Sequence, residues 1–256
     1  MLAHAYAEPP FRIGRTFELD GAAYVILVTS GPGVFGGDAL RQSIHVGPGT
    51  RVVLTSQSAL QVHPASPLAP PVPPARISHE YVVDDGAELH CQWDPVIPFA
   101  DARLEQRFDL QIAESSQLFW ADAVMAGRIS RGERWRFATL AHELRLRIGP
   151  TLAYLERYTL TPHERAVDRP WVCGGAEHLA TTLVHHDEAG PDTAEALHRE
   201  MAALAGAACA VDFLASRLVL ARFLCRNGEP FRHIRASYRA AALRSIFGAA
   251  ERTGRK

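Results

Sequence analysis

Lysine is almost missing from this chain. Its 27 basic residues are 26 arginines and a single lysine, Lys256. A Walker-type phosphate loop, a pyridoxal Schiff base and a kinase phosphate anchor each need an internal lysine, so all three are excluded. Cysteine is sparse too. Cys91, Cys173, Cys209 and Cys225 are widely spaced with no CxxC pair, which argues against a closed zinc site or a redox dithiol. No HExxH or GxSxG motif occurs. The longest apolar run, Ala22 to Val28, is far too short to span a bilayer, and the first twenty residues carry no apolar signal core. A cytoplasmic protein with no membrane contact is expected. The net charge of −1 speaks against a whole-molecule grip on nucleic acid.

What is present reads as one domain over 1–256, mainly β over about 8–190 and helical over about 191–250. Short apolar stretches, period-two alternation and Gly/Pro punctuation fill the first part. From Pro191 the texture changes. Asp192 or Thr193 is placed to cap a helix carrying Leu197, Met201 and Leu204; a second helix is predicted from about Val211 to Leu224 and a third from about Phe231 to Phe247.

A strand–turn–strand unit recurs in the β part. Its starts, Val46, Val83, Ile112 and Ile148, are separated by 37, 29 and 36 residues. Stacked units of this kind bury each other's apolar faces, so the fold class expected is a solenoid-like, β-helix-like stack with a small C-terminal helical part; an ordinary sandwich is the alternative. The proline-rich stretch from Pro64 to Pro74 is a stiff surface connection.

Gly31, Gly33 and Gly36 spell GxGxxG after an apolar run, yet no helix follows. Leu40, Ile44 and Val46 alternate with Arg41, Ser43 and His45, which is strand periodicity, so the glycines read as a tight strand connection and not a dinucleotide cradle. His185-His186-Asp187-Glu188 reads as a solvated loop, and no residue set is singled out as a metal site. In the repeat register the core-facing position eight residues past each start is Leu54, Cys91, Trp120 and Glu156; two further on stand Ser56, Trp93, Asp122 and Tyr158. Asp122 and Glu156 therefore point inward if the register holds, and a buried carboxylate needs a partner, water or a task. A slip of one residue would put both on solvent.

Ser30-Gly31-Pro32-Gly33-Val34-Phe35-Gly36-Gly37-Asp38, followed by Thr55-Ser56-Gln57, resembles the glycine turn and the TTQ run of the urease accessory protein UreD (UreH) family. The likeness continues through Pro95 to Phe99, Ala102-Arg103-Leu104, Gly127-Arg128 with Arg131-Gly132-Glu133, Glu156-Arg157, and Arg222-Phe223-Leu224. Gln61 and His63 stand where the family usually has a lysine and an aromatic residue, and the proline-rich insert is unusual. The resemblance implies a mostly β scaffold without catalysis that bridges apo-urease to a helical UreF-like protein, which recruits a UreG-like GTPase. Nickel is then transient cargo rather than a bound cofactor, passing along a polar internal route that inward Asp122 and Glu156 would suit. Gly36, Gly37, Asp38, Gln57, Gly127, Arg128 and Glu133 are the matching motif positions, expected to be structural.

Two rivals remain at this point. One is a β-solenoid enzyme cleaving polysaccharides with Asp122, Glu156 or the Asp84-Asp85 pair, though aromatics are only 8% of the chain. The other is a protein-interaction module without metal business. The C-terminal end is strongly basic: from Arg217 to Lys256 ten basic residues face Glu229 and Glu251. It is expected to contact the UreF-like partner.

Overall fold

A computed structural model describes residues 2–66 and 72–248. The described chain forms strands β1 (Phe11–Ile13), β2 (Phe17–Leu19), β3 (Ala22–Thr29), β4 (Ala39–Val46), β5 (Arg51–Ser56), β6 (Leu60–Val62), β7 (Ala75–Val83), β8 (Glu88–Gln92), β9 (Val96–Pro98), β10 (Arg103–Ile112), β11 (Gln117–Met125), β12 (Thr139–Ile148), β13 (Thr151–Leu160) and β14 (His178–His185). Then come α1 (Pro191–Ala202), β15 (Ala207–Leu214), β16 (Leu218–Cys225) and α2 (Gly228–Ser245).

From β3 to β12 the chain passes back and forth between two sheets. One has five strands in the order β13-β12-β10-β7-β4; the other has eleven, with the path β1-β3-β5-β8-β11-β14-β16-β15. Alternation drives this. In β10 the side chains of Leu104, Phe108, Leu110 and Ile112 are buried between the sheets, while Glu105, Arg107 and Gln111 face water. The inner faces meet through aromatic contacts such as Tyr81 with Trp120 (ring centroids 4.8 Å apart) and Phe108 with Trp120 (5.1 Å). The outer face of the large sheet carries α1 and α2, which bury Leu197, Met201, Phe231, Ile234 and Tyr238 against Phe119, Val219 and Phe223.

The repeat is visible as stacking. Val46, Val83, Ile112 and Ile148 are parallel cross-strand neighbours in the smaller sheet. Leu54, Cys91 and Trp120 are neighbours in the larger one. Three units thus stack as expected. The fourth does not: β13 turns back and pairs antiparallel with β12 in the same sheet, so Glu156 lies opposite Leu144 rather than beside Trp120. The turn Gly149-Pro150 with Gly149 at φ 55° makes a tight hairpin that keeps β13 in the smaller sheet. The sheets are not closed. The architecture of the described residues is mainly β with two helices, and the parallel stacking of units stops at the β12–β13 hairpin.

The second predicted helix is a hairpin. β15 and β16 pair antiparallel, and β16 extends the large sheet from β14. Ser216 and Arg217, both at positive φ (63° and 57°), break the run that helical spacing had joined. Within Leu218–Cys225, Val219, Ala221, Phe223 and Cys225 face the helices while Leu218, Leu220, Arg222 and Leu224 face the other sheet. A run apolar on both faces carries no period to distinguish strand from helix. α1 starts differently from the expected cap as well. Gly190 is its N-cap without a side-chain bond, and Pro191 opens the first turn. α2 is capped by Asn227, whose side chain accepts from the Glu229 amide. The middle of the proline-rich connection, and Glu251 through Lys256, lie outside the described residues.

Candidate functional site

Three inward-facing residues, Asp122 on β11, Thr181 on β14 and Arg222 on β16, are direct neighbours across the large sheet. Facing them from β13 are Tyr154, Glu156 and Tyr158, with His142 of β12 alongside Tyr158 (ring centroids 4.8 Å apart). A polar layer therefore runs between two otherwise apolar sheets. Within it Glu156 is fully engaged. Its Oε1 lies 3.2 Å from Arg222 Nη2, and its Oε2 accepts from Tyr154 (3.0 Å) and Thr181 (3.3 Å). The Tyr154 hydroxyl also accepts from Arg222 at 2.8 Å.

Asp122 is held differently. It is buried, and its nearest cationic candidate, His142 Nε2, stands 3.8 Å away, beyond hydrogen-bond reach. Burial, and after it the Glu156 charge, push its carboxyl up to about 7, against weaker pulls from Arg235 and Arg222. Asp122 lines a cavity of about 50 Å³ between the sheets, together with His79, Gln106, Ser56, Trp93 and Asp94. That is room for a few waters beside the Asp122 carboxylate, within walls that are otherwise mostly apolar. His79 is fully buried there, neither ring nitrogen finds a partner, and desolvation lowers its imidazole to about 3. His142 is lowered to about 4, again chiefly by burial. Arg235 of α2 closes the layer from the helix side. Its Nη2 donates to the Trp93 carbonyl at 2.8 Å, and burial brings its guanidinium down to about 10.

The structure thus buries both sequence-predicted carboxylates, and the one-residue slip does not occur. It separates their roles: Asp122 borders the cavity, whereas Glu156 is tied into an ion pair off its wall. Sequence reasoning missed His79, His142, Arg222 and Arg235. The signal for His79 was available, because Ile77, His79 and Tyr81 alternate inward in β7. Among the described residues no group of three or more His, Cys, Asp or Glu is arranged to hold a metal ion. Asp84 and Asp85 sit in the turn after β7, bonded to His45 and Ser115, and join no site with Asp122.

Most of the motif residues, Gln57 excepted, lie elsewhere, in or beside one stack. Phe35 lies flat on His63 (4.6 Å), His63 meets the Phe99 ring edge-on (4.5 Å), and the Arg128 guanidinium covers the other part of Phe99 at 3.9 Å. Glu133 grips Arg128 through both carboxylate oxygens and accepts from the Ala100 amide at 3.1 Å. This pairing holds the Glu133 carboxyl below its ordinary value. The His63 ring thus sits between Phe35 and Phe99. Asp38 accepts from the Phe35 amide through its own carboxylate, and Gly37 holds φ 91°. At Gly36 the backbone is ordinary, but a Cβ would come within 3.0 Å of Val72. The tightest glycines are Gly33 (φ 134°) and Gly127 (φ 119°), where a Cβ would run into the carbonyls of Gln61 and Glu133. Gln57 is exposed just past β5, its amide donating to the Leu27 carbonyl.

A family model described as UreD urease accessory protein matches residues 1–255. Curated relatives agree. A urease accessory protein UreD of Trichodesmium erythraeum is 35% identical over 150 residues, covering 57% of this chain and 53% of its own; the match thus spans about half of that relative. UreD 2 of Streptomyces griseus is 31% identical over 219 residues, 79% of this chain and 70% of its own. UreH of Helicobacter pylori is 26% identical over 228 residues, 89% of this chain and 83% of its own. With its glycine turn, its Arg128–Glu133 pair and its match along nearly the whole length, the chain belongs to the UreD urease accessory protein family.

Proposed function

We propose that this chain is a non-catalytic, cytoplasmic scaffold of urease maturation that bridges apo-urease to a UreF-like protein, through which a UreG-like GTPase is recruited. Nickel is cargo of that assembly. Family membership supports the accessory role. The observation that carries the internal-route reading is the Asp122 carboxylate on the wall of a small, mostly apolar cavity between the sheets, with His79 and Gln106 opposite. Carboxylate and imidazole groups spaced too loosely for a cage suit a hydrated divalent cation in transit better than one held in place. Glu156 sets the field of that route through Arg222 rather than lining the cavity.

The test is co-expression of urease with its accessory chains, using Asp122→Asn here. Assembly with the UreF-like and UreG-like partners is expected to persist while nickel per urease falls. Normal nickel loading would discard the internal route and leave the scaffold reading intact. For the UreF-like contact, truncation before Phe231 is uninformative, because α2 supplies Phe231, Ile234, Tyr238 and Ala242 to the core. Charge reversal at exposed Arg232 and Arg244 is the cleaner probe.

A further inference from the structure

Trp171 is 80% exposed, and its neighbour Val172 is 45% exposed. A bare indole on a folded surface is unusual, since tryptophan is the side chain with the most to gain from burial. The exposure is built in. The Val172 and Gly174 amides both donate to the Arg169 carbonyl, and the Cys173 amide donates to Val167. Val167, Cys173 and Ala176 are buried in the core cluster that also holds Trp135 and Phe137. The turn is therefore pinned at its base and presents the indole at its tip.

Arginines stand on one side of it in the chain and, through Arg134, beside it in space. Arg165 and Arg169 flank the turn, and Arg131, Arg134 and Arg136 come from the segment that the Arg128–Glu133 pair anchors. Arg134 reaches the turn, lying near Gly175. All five are exposed, and none makes an ion pair among the described residues.

We infer that the turn 169–174 with these arginines is a second docking element, which seats Trp171 in an apolar notch of a carboxylate-rich protein surface. Tryptophan and arginine are the residue types that dominate binding hot spots, and a pre-ordered turn spares the ordering cost of binding. A protein surface fits better than an anionic bilayer: only one large apolar ring is offered, and exposed Glu164 and Asp168 are interleaved with the arginines. Resting on the scaffold reading above, the occupant is apo-urease. The Trp171 turn leads into β14 at the end of the sheets where α2 begins, while α2 closes at the other end, where Phe247 packs on His90 and His186. A bridge needs two surfaces that do not overlap, and this one is separate from the last turns of α2.

The experiment measures binding of full-length Trp171→Ala, and of Arg165→Glu with Arg169→Glu, to purified apo-urease and separately to the UreF-like chain. Trp171→Ala should weaken apo-urease binding at least tenfold with an unchanged melting temperature and unchanged UreF-like binding. The charge reversal should slow association and remove its salt dependence. Equal binding by wild type and Trp171→Ala overturns the inference while leaving the scaffold reading standing. If wild type binds no apo-urease, with or without the UreF-like chain, the scaffold reading fails and the inference with it. Trp171-dependent binding to phosphatidylglycerol vesicles, with apo-urease binding unaffected by the substitution, overturns it in favour of a membrane.

Discussion

Arg222 spans the gap between the sheets to Glu156, with Nη2 3.2 Å from Oε1. The carboxylate end of this pair is buried and the guanidinium about half exposed. Glu156→Gln keeps the shape but strands the Arg222 charge and weakens the bonds from Tyr154 and Thr181. Because Arg222 retains water, the cost stays below the 3–5 kcal/mol of a fully buried pair, at about 2 kcal/mol. A melting temperature lowered by roughly 4–8 °C is expected for a chain of this size. No change would mean that the pair is not engaged in solution.

Asp122 gives the opposite sign. Its folded-state value of about 7 lies above the unfolded carboxylate value of 3.8. The folded protein holds a proton that the unfolded chain gives up, so this contribution to stability is complete below pH 3.8 and is lost as pH rises toward 7. Asp122→Asn removes the penalty. The variant should match wild type near pH 4 and exceed it at pH 8 by up to about 4 kcal/mol. Melting curves at both pH values check this, and a variant less stable at pH 8 would show that Asp122 is stabilised as an anion.

His79, His142 and His178 pull the other way. Burial leads in each, lowering His79 to about 3 and the other two to about 4. Below pH 6.5 the unfolded chain takes up protons that the folded chain refuses, so stability falls as pH drops from 6.5 toward those values. His79→Phe, stacking on Phe108 as the imidazole does at 4.5 Å, should flatten this acid slope by about 1.4 kcal/mol per pH unit. Urea unfolding at pH 7 and pH 5 measures the slope. An unaltered slope would place the titration elsewhere.

The glycine turn separates two mechanisms. Gly33→Ala must fit a methyl against the Gln61 carbonyl at φ 134°, whereas Gly36→Ala, at an ordinary backbone angle, presses on the Val72 side chain (3.0 Å) and on Ala65 Cβ (3.3 Å). Loss of soluble protein is expected for Gly33→Ala, with Gly36→Ala losing about 1 kcal/mol or less. His63→Phe should be tolerated and His63→Ala should cost about 1 kcal/mol, since the ring fills the stack between Phe35 and Phe99. Thermal melts of the four variants rank these effects.

Much of the sheet core was readable because period-two alternation fixes which side chains turn inward. Val46, Val83, Ile112 and Ile148 fell into true register, and so did Asp122. Glu156 points inward for a different reason than the repeat implied. Alternation survives a hairpin, so the face was right while the neighbour was wrong. The β15–β16 hairpin was hidden by apolar residues on both faces, where strand and helix patterns coincide. Arg222 and Arg235 were invisible as partners of the polar layer because nothing local in a sequence tells which strand or helix lies across a gap.

The alternation of the chain between two sheets also bears on how it reaches this state. Each neighbouring pair of parallel strands joins residues 28 to 37 positions apart, as Val96 with Val124 and Val46 with Val83 do. No rung is complete until the next has arrived, and no fragment between β4 and β12 owns both of its layers. Such distant pairing makes for slow folding, with strand edges open meanwhile to other chains. The nascent protein is thus most vulnerable before β14 and the helices cover its larger sheet, and slower synthesis or lower temperature should raise the soluble fraction.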